Sequence, residues 1–433
     1  MRLITAFLAA AAFCASGFSQ TPAKGRMVVV ISLDGLPASV LQDSKAPIPT
    51  LRRLIANGVT ATMTPLTPTI TWPNHTTMVT GVRADEHGLL TNGTITRTGS
   101  WPPVKVEPML DKEKMVHAPT VYDAARRAGL TTAQVDWVAI NNAPGITWAF
   151  SEWATAEGPL EREMIAKGVV SAAELENFSN ANILFRDEMW TRAAAYLIRE
   201  HKPNLLLYHL LSLDSVHHRY GPGTLAGTSA IAFLDSCVAR VVEAVAQAGM
   251  TERTTFLVVS DHGFKAYTKQ IRAGAALAAA GLDKQAYVLP EGGTGYVYLD
   301  KARAAEIAPK VIAALEGVEG IARIIRPEGY AELGLAQPER DPQMFDLLLV
   351  ARSGYAFSGA TGGPVTAELP QQAGSHGYLA SDPEMTALFI ASGYGVARGA
   401  KLERFENIDI APTIANLLGI ALPSAKGKPL ALR

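Results

Sequence analysis

The sequence predicts an α/β protein built on a mostly parallel central sheet with helices on both faces, and three observations predict it. Residues 27–33, 205–213 and 255–260 are continuous apolar, β-branched runs, the pattern of strands buried on both faces. Helical stretches at 50–56, 120–128, 183–200 and 230–248 alternate with them, as crossover helices do between parallel strands. Gly58, Gly129 and Gly249 stand where helix C-terminal glycines stand. Each strand-like run ends in an aspartate: Asp34, Asp214 and Asp261. Open sheets of this class bind ligands outside the carboxyl ends of their strands. One aspartate there is ordinary; three on one edge suggest a cation, because buried carboxylates must be solvated or paired.

The 433 residues suffice for one large domain or two to three smaller ones. Hydrophobic residues at 48% and charged residues at 18% describe a globular chain, not a disordered one. A formal net charge of −1 argues against binding of duplex nucleic acid through bulk charge. Arg2, the apolar run 3–15 and the small residues Ser16, Gly17 and Ser19 read as an export signal over 1–19, with the mature chain starting near Gln20. The expected location is therefore secreted or periplasmic. That run is too short to span a bilayer, and no later segment is expected to span one. Phe13 before Cys14 argues against lipidation, and Cys237 is then left without an intrachain disulfide partner. Oligomeric state is not legible.

The segment 264–373 departs from the strand–helix alternation. It mixes short strands (295–299, 346–351), a helix (302–315) and Pro/Gly-rich turns, and is read as a cap subdomain inserted between two parts of the catalytic domain, 20–263 and 374–433. Residues 91–105 are turn-rich and read as a surface loop or hairpin, and 411–418 as a closing helix.

The chemistry-bearing residues cluster near those strand ends. Asp214 and His218 are four apart, so one turn of chain aims both at one point. Asp261 and His262 are adjacent at a strand terminus, and His262 and His376 each precede a glycine in loop contexts. Aspartate and histidine are ligands zinc favours. Taken singly, each histidine reads more readily as a hydrogen-bonded structural residue; the combination changes that. Residues 69–81 (TITWPNHTTMVTG) gather hydroxyls before Trp72. A threonine hydroxyl attacks only when something lowers its pKa, and a metal ion does so. The alternative for the same threonines is helix capping.

These motifs resemble the nucleotide pyrophosphatase/phosphodiesterases of the alkaline phosphatase superfamily. The resemblance rests on Asp34-Gly35, then Thr71-Trp72-Pro73-Asn74-His75 with Thr80-Gly81, and His87-Gly88 with Asn92. It continues through Asp214-Ser215-Val216-His217-His218-Arg219-Tyr220-Gly221-Pro222, Ser260-Asp261-His262-Gly263-Phe264 and Gly374-Ser375-His376-Gly377-Tyr378. The resemblance implies an alkaline-phosphatase-like fold and a site with two Zn2+ per chain. Asp34, Asp261, His262 and the Thr71 oxygen would hold one ion; Asp214, His218 and His376 would hold the other. Asn92 and the backbone near Thr71 would hold a phosphate oxygen. Thr71 would be the nucleophile of an in-line displacement that passes through a covalent phosphothreonine-type ester. Two departures stand out: His217 replaces the usual glycine, as an outer residue or a distortion of the metal geometry, and Trp72 replaces the frequent phenylalanine while keeping a flat surface for substrate. Trp137, Tyr208 and His209 are further candidates for a nucleobase or headgroup pocket, or for the core.

The implied function is metal-dependent hydrolysis of phosphodiester or pyrophosphate bonds in small-molecule phosphate esters. Residues 134–144 contain no Lys or Arg, which favours diesters over monoester dianions. The alternatives are a phosphomonoesterase, a phosphonate hydrolase or a sulfatase-like enzyme on the same scaffold, and a non-catalytic phosphate- or metal-binding protein.

Overall fold

A computed structural model describes residues 22–433. The proposed export signal and Cys14 lie outside the described residues.

The main sheet runs in the order Ala400–Lys401, Gly58–Thr64, Ala387–Gly393, Thr254–Val259, Met27–Leu33, Leu205–Leu210, Thr132–Val135, Trp148–Phe150, with Phe405–Glu406 also on Gly58–Thr64. Ala387–Gly393 runs antiparallel to both its neighbours; every other pairing is parallel. The three apolar runs are its centre: Met27–Leu33 pairs with Leu205–Leu210 on one side and Thr254–Val259 on the other. All residues of these strands are buried, which explains why they read as uninterrupted apolar runs rather than alternating ones. Two apolar layers flank the sheet. Val29, Ile31, Leu206 and Tyr208 face one, with Trp190 and Val241; Val28, Val30, Leu205 and Leu207 face the other, with Met78 and Ile414.

Two boundaries shift in ways that matter. The strand expected over 205–213 stops at Leu210, and a helix, Ser212–Tyr220, follows. Asp214 and His218 therefore sit on a helix, not at a strand end or in a loop. Gly58 opens a strand instead of closing a helix: the Pro49–Ala56 helix ends on Asn57, and a Cβ at Gly58 would lie 2.1 Å from the Ala391 carbonyl oxygen. Gly129 and Gly249 do adopt left-handed backbone, at φ +75° and +67°. The helix Leu225–Gln247 corrects another expectation, because its length and composition suffice to cross a membrane. Here Leu234, Val238, Val241 and Val245 on it are buried in the core beside the Ile183–Tyr196 helix.

Within 264–373, the antiparallel strands Ala286–Glu291, Thr294–Leu299, Leu347–Ala351 and Ile321–Ile325 form a second sheet. One face packs on Ala273–Ala279 and Ala304–Leu315. Tyr296, Tyr298 and Leu348 on the other face pack against Ile70, Leu90 and Ile95, and Tyr296 Oη donates to the Leu90 carbonyl at 2.8 Å. A third sheet pairs Lys265–Ile271 with Gly354–Phe357 and Thr366–Ser375, and it delivers the chain to His376. Thr94–Arg97 and Val104–Glu107 form the expected hairpin.

Candidate active site

Three adjacent central strands put their carboxyl ends side by side, about 4.8 Å apart by sheet geometry. Asp34 directly follows Met27–Leu33, and Asp261 follows Thr254–Val259 by two residues. The chain turns sharply after Asp34 at Gly35 (φ +67°), where a Cβ would meet the Phe264 ring at 2.8 Å. Gly35 N then donates to Asp261 Oδ1 at 3.2 Å, tying the two strand ends together. The helix Ser212–Tyr220 brings in Asp214 and His218. Its opening N–H groups, on Leu211 and Ser212, each donate at 3.0 Å to the carboxylate of Asp187, a buried residue of the Ile183–Tyr196 helix. Burial pushes the Asp187 carboxyl up to about 6.

Thr71 is the first residue of a wholly buried helix, Thr71–Thr80, closed by left-handed Gly81. Its hydroxyl lies 3.4 Å from His262 Nε2. The loop leading into this helix is locked to the His376 segment: His376 Nδ1 donates to Thr69 O at 3.0 Å, and Gly377 N donates to the same oxygen at 3.0 Å.

The three expected histidine ligands share one device. His218 Nδ1 donates to Gly374 O (3.2 Å), His262 Nδ1 to Gly263 O (3.0 Å) and His376 Nδ1 to Thr69 O (3.0 Å). Each bond fixes the tautomer that leaves a lone pair on Nε2. The Nε2 atoms face carboxylates: His218 is 3.3 Å and His376 3.7 Å from Asp214 Oδ1, while His262 is 3.1 Å from Asp261 Oδ2 and 3.5 Å from Asp34 Oδ1. Two sets of ligand atoms lie within 4.8 Å of one another, Asp34–Asp261–His262 and Asp214–His262–His376. His262 thus stands between them, and His218 joins the second set through Asp214.

The carboxylate oxygens Asp34 Oδ1, Asp214 Oδ1 and Asp261 Oδ2 are buried with no hydrogen-bond donor. Buried anions in that state are costly, and a divalent cation supplies what they lack, so the donor set fits metal. Burial, then repulsion from Asp261 and Asp214, pushes the Asp34 carboxyl well above its ordinary value. Burial likewise pushes Asp261 up to about 6 and holds His262 down at about 4 and His376 at about 3, as neutral imidazoles suited to ligation.

Asn92 Oδ1 accepts from Trp72 N at 3.0 Å. That bond presents the amide NH2 as the donor end of Asn92, but it also commits the backbone N–H beside Thr71 that had been expected to meet substrate. Trp72 is buried among Leu89, Met115 and Val116 and lines a neighbouring cavity, as does Trp137. Tyr208 does not: its ring is in the core and its Oη pairs with Thr191 at 2.6 Å. His217 packs on Phe264 (centroids 5.1 Å apart), and a Cβ at Gly227 would lie 2.9 Å from its Nε2. The bulk added at 217 is accommodated by a glycine on the next helix.

The residue whose role the sequence hid is His209. Its Nε2 donates to Asp34 Oδ2 at 2.9 Å, while Nδ1 lies 3.0 Å from Asp136 O and 3.1 Å from Asp136 Oδ2. Burial opposes its charge, yet these two aspartates hold the imidazole well above its ordinary value. His75 also packs behind the site, donating from Nδ1 to Thr71 O at 2.8 Å and lying 3.7 Å from Asp261 Oδ2, but burial holds its imidazole well below the ordinary value. A histidine inside a strand run carries no sequence signal for such a contact; only the strand order that seats Leu205–Leu210 beside Met27–Leu33 creates it.

The fold is shared with solved structures of ectonucleotide pyrophosphatase/phosphodiesterases. The murine member 5 superposes with a TM-score of 0.72 at 18% identity, covering 93% of this chain and 98% of that one. An inactive threonine-to-alanine variant of the murine protein, in complex with AMP, superposes with a TM-score of 0.71. Residues 28–379 match the family described as type I phosphodiesterase / nucleotide pyrophosphatase, and the chain belongs to that family. Human ectonucleotide pyrophosphatase/phosphodiesterase family member 7 is 24% identical over 420 residues, covering 95% of this chain and 84% of the relative. The venom phosphodiesterase of Macrovipera lebetinus is 23% identical over 428 residues, with 94% of this chain and 44% of the relative covered.

Proposed function

We propose that this protein hydrolyses phosphodiester or pyrophosphate bonds in small-molecule phosphate esters, with Thr71 as nucleophile beside two zinc ions. The observation that carries this reading is the set of donorless buried oxygens on Asp34, Asp214 and Asp261, ringed by three histidine lone pairs and set beside the Thr71 hydroxyl. One ion would be held by Asp34, Asp261, His262 and Thr71, the other by Asp214, His218 and His376. Bound there, the ions would lower the pKa of a coordinated hydroxyl and neutralise charge on the phosphate oxygens. The remaining steps belong to the chain. Thr71 Oγ1 gives up its proton to solvent and forms a bond to phosphorus as the bond to the leaving oxygen breaks, and the departing oxygen takes a proton from water. Asn92, anchored on Trp72 N, points its NH2 at a non-bridging oxygen. Water then attacks the phosphothreonine ester, releasing product and restoring the hydroxyl. The helix beginning at Thr71 adds the positive end of its dipole to the same point.

The inactive threonine variant of the murine relative supports the nucleophile, and the relatives' names (ectonucleotide enzymes and a venom enzyme) support export, with residues 1–19 as the signal. Residues 264–373 act in this reading as a cap that completes the site rim, since its third sheet leads into His376.

Thr71→Ala decides the nucleophile. Turnover of bis(p-nitrophenyl) phosphate should fall by about 1000-fold or more, with metal content near two zinc per chain and the fold retained. Turnover close to that of the unaltered protein would remove Thr71 from the role, and a metal content far below two in the unaltered protein would remove the paired-ion site.

A further inference from the structure

Asn92 stands in an irregular segment, 88–93, whose backbone makes no ladder of its own beyond one bridge between Thr91 and Gly93. The polar groups of such a segment must find partners elsewhere. Three side chains of the cap supply them. Gln343 donates from Nε2 to Gly88 O at 2.6 Å and accepts from Ile95 N at 2.9 Å. Tyr296 Oη donates to Leu90 O at 2.8 Å. Glu291 Oε1 accepts from the Thr91 hydroxyl at 2.7 Å. The Glu291 bond differs from the other two, because it grips the residue directly before Asn92. Glu291 also ends the strand Ala286–Glu291, and the Gly292-Gly293 turn that follows is seated on the His376 segment. Gly293 N donates to His376 O at 2.9 Å, and a Cβ at Gly292 would lie 2.3 Å from the same oxygen. One hairpin tip of the cap therefore holds both the Asn92 segment and the His376 segment.

We propose that Glu291 is a positioning residue for the Thr71 site: through Thr91 it fixes the backbone of Asn92, and with it the aim of the Asn92 NH2 at the phosphate oxygen. The assignment rests on the hydrolase reading above and gives the cap a part in it beyond forming the rim. Asn92 is then held from two directions, its Oδ1 by Trp72 N at 3.0 Å and its chain by Thr91. The first bond alone leaves the amide free to pivot about its oxygen; the second, on a different element, removes that freedom. A donor displaced by about 1 Å from a developing charge loses much of its effect. Burial pushes the Glu291 carboxyl up to about 8, against the pull of the Thr91 hydroxyl. At neutral pH the acceptor is thus an oxygen of an uncharged acid, and glutamine matches it in shape and charge. The competing role is docking alone. The three side chains would then only tie the cap to the main domain, and their loss would lower activity whatever residue stands at 92.

The test is a double-mutant cycle of Glu291→Ala and Asn92→Ala in the metal-loaded full chain, read as kcat/KM for bis(p-nitrophenyl) phosphate. Glu291→Ala is expected to lower kcat/KM by about tenfold where Asn92 is present and by less than about twofold where it is not. Equal losses in the two backgrounds overturn the proposal in favour of docking, and no loss in either overturns it as well. Glu291→Gln, which keeps a carbonyl acceptor for Thr91, is expected to recover most of the activity; a glutamine variant as impaired as the alanine one overturns the bond to Thr91 as the cause. Thr91→Val removes the hydroxyl and is the second variant, should Glu291→Ala fail to fold, with the same cycle expected. Amide hydrogen exchange gives a reading independent of turnover. Exchange over 88–93 is expected to quicken by about tenfold in Glu291→Ala and not in Glu291→Gln, and an unchanged rate in both overturns the proposal. If the unaltered protein leaves the ester intact, the hydrolase reading fails, and exchange alone decides whether Glu291 holds the Asn92 segment.

Discussion

At the scale of single residues, the site is built by atoms that point rather than by residues that are present. Three histidines spend Nδ1 on backbone carbonyls and so turn Nε2 inward. Asp34 is held in turn by His209, which Asp136 holds from behind. Metal ligands braced by such outer partners lose about 10–100-fold in metal affinity when the partner is removed. His209→Leu should therefore weaken zinc binding by about that factor, while His209→Gln, which keeps a donor near Asp34, should recover most of it. Competition against a calibrated chelator reads this directly; equal affinities in all three proteins would reduce His209 to a packing residue.

At the scale of elements, the helix Ser212–Tyr220 is the piece whose placement is least local. Its N-terminal N–H groups are satisfied by no residue of its own chain segment but by Asp187, 24 residues from Leu211. Truncation to Asp187→Ala leaves two buried donors without acceptors and should cost about 1–3 kcal/mol. Because that helix carries both Asp214 and His218, the loss should extend to the metal they are proposed to hold. The expected pattern is a lower urea midpoint together with one weakened and one intact zinc in stepwise chelation. Uniform weakening of both ions would show that the helix position is not what Asp187 controls.

At the scale of the whole molecule, buried neutral histidines tie stability to pH. His87 anchors the segment leading to Asn92: its Nδ1 accepts from Leu89 N at 3.2 Å, so its Nε2–H donates to Thr77 Oγ1 at 3.1 Å. Burial, reinforced by His117, holds its pKa at about 3 against 6.5 in the unfolded chain. The unfolded state thus takes up the proton first. The contribution is fully present above pH 6.5 and is lost as pH falls toward 3. By pH 5 the loss amounts to about 2 kcal/mol. Urea unfolding at pH 7.5 and pH 5 should show the unaltered protein losing about that much more than His87→Leu, although the variant starts lower. Equal losses in the two would mean that His87 titrates normally in the fold.

The central strands were legible because burial on both faces leaves no room for polar alternation: 27–33 and 255–260 were read from the chain to within a residue or so. The candidate ligand residues, which the fold does bring together, were legible because aspartate and histidine beside glycine at strand ends have few structural reasons to recur in that order. What the chain could not declare was anything set by contacts across it. The strand over 205–213 was read three residues too long, because Leu211 and Leu213 are as apolar as the strand before them, and only capping by Asp187 decides that the helix begins there. Gly58 was misassigned because its cause is the approach of Ala391, more than 300 residues away. His209 as the brace of Asp34 and Asn92 as the partner of Trp72 N are likewise products of strand order and helix docking. Residue types and local periodicity follow from covalent neighbours; orientation, pairing and unmet hydrogen bonds exist only once distant segments are packed together.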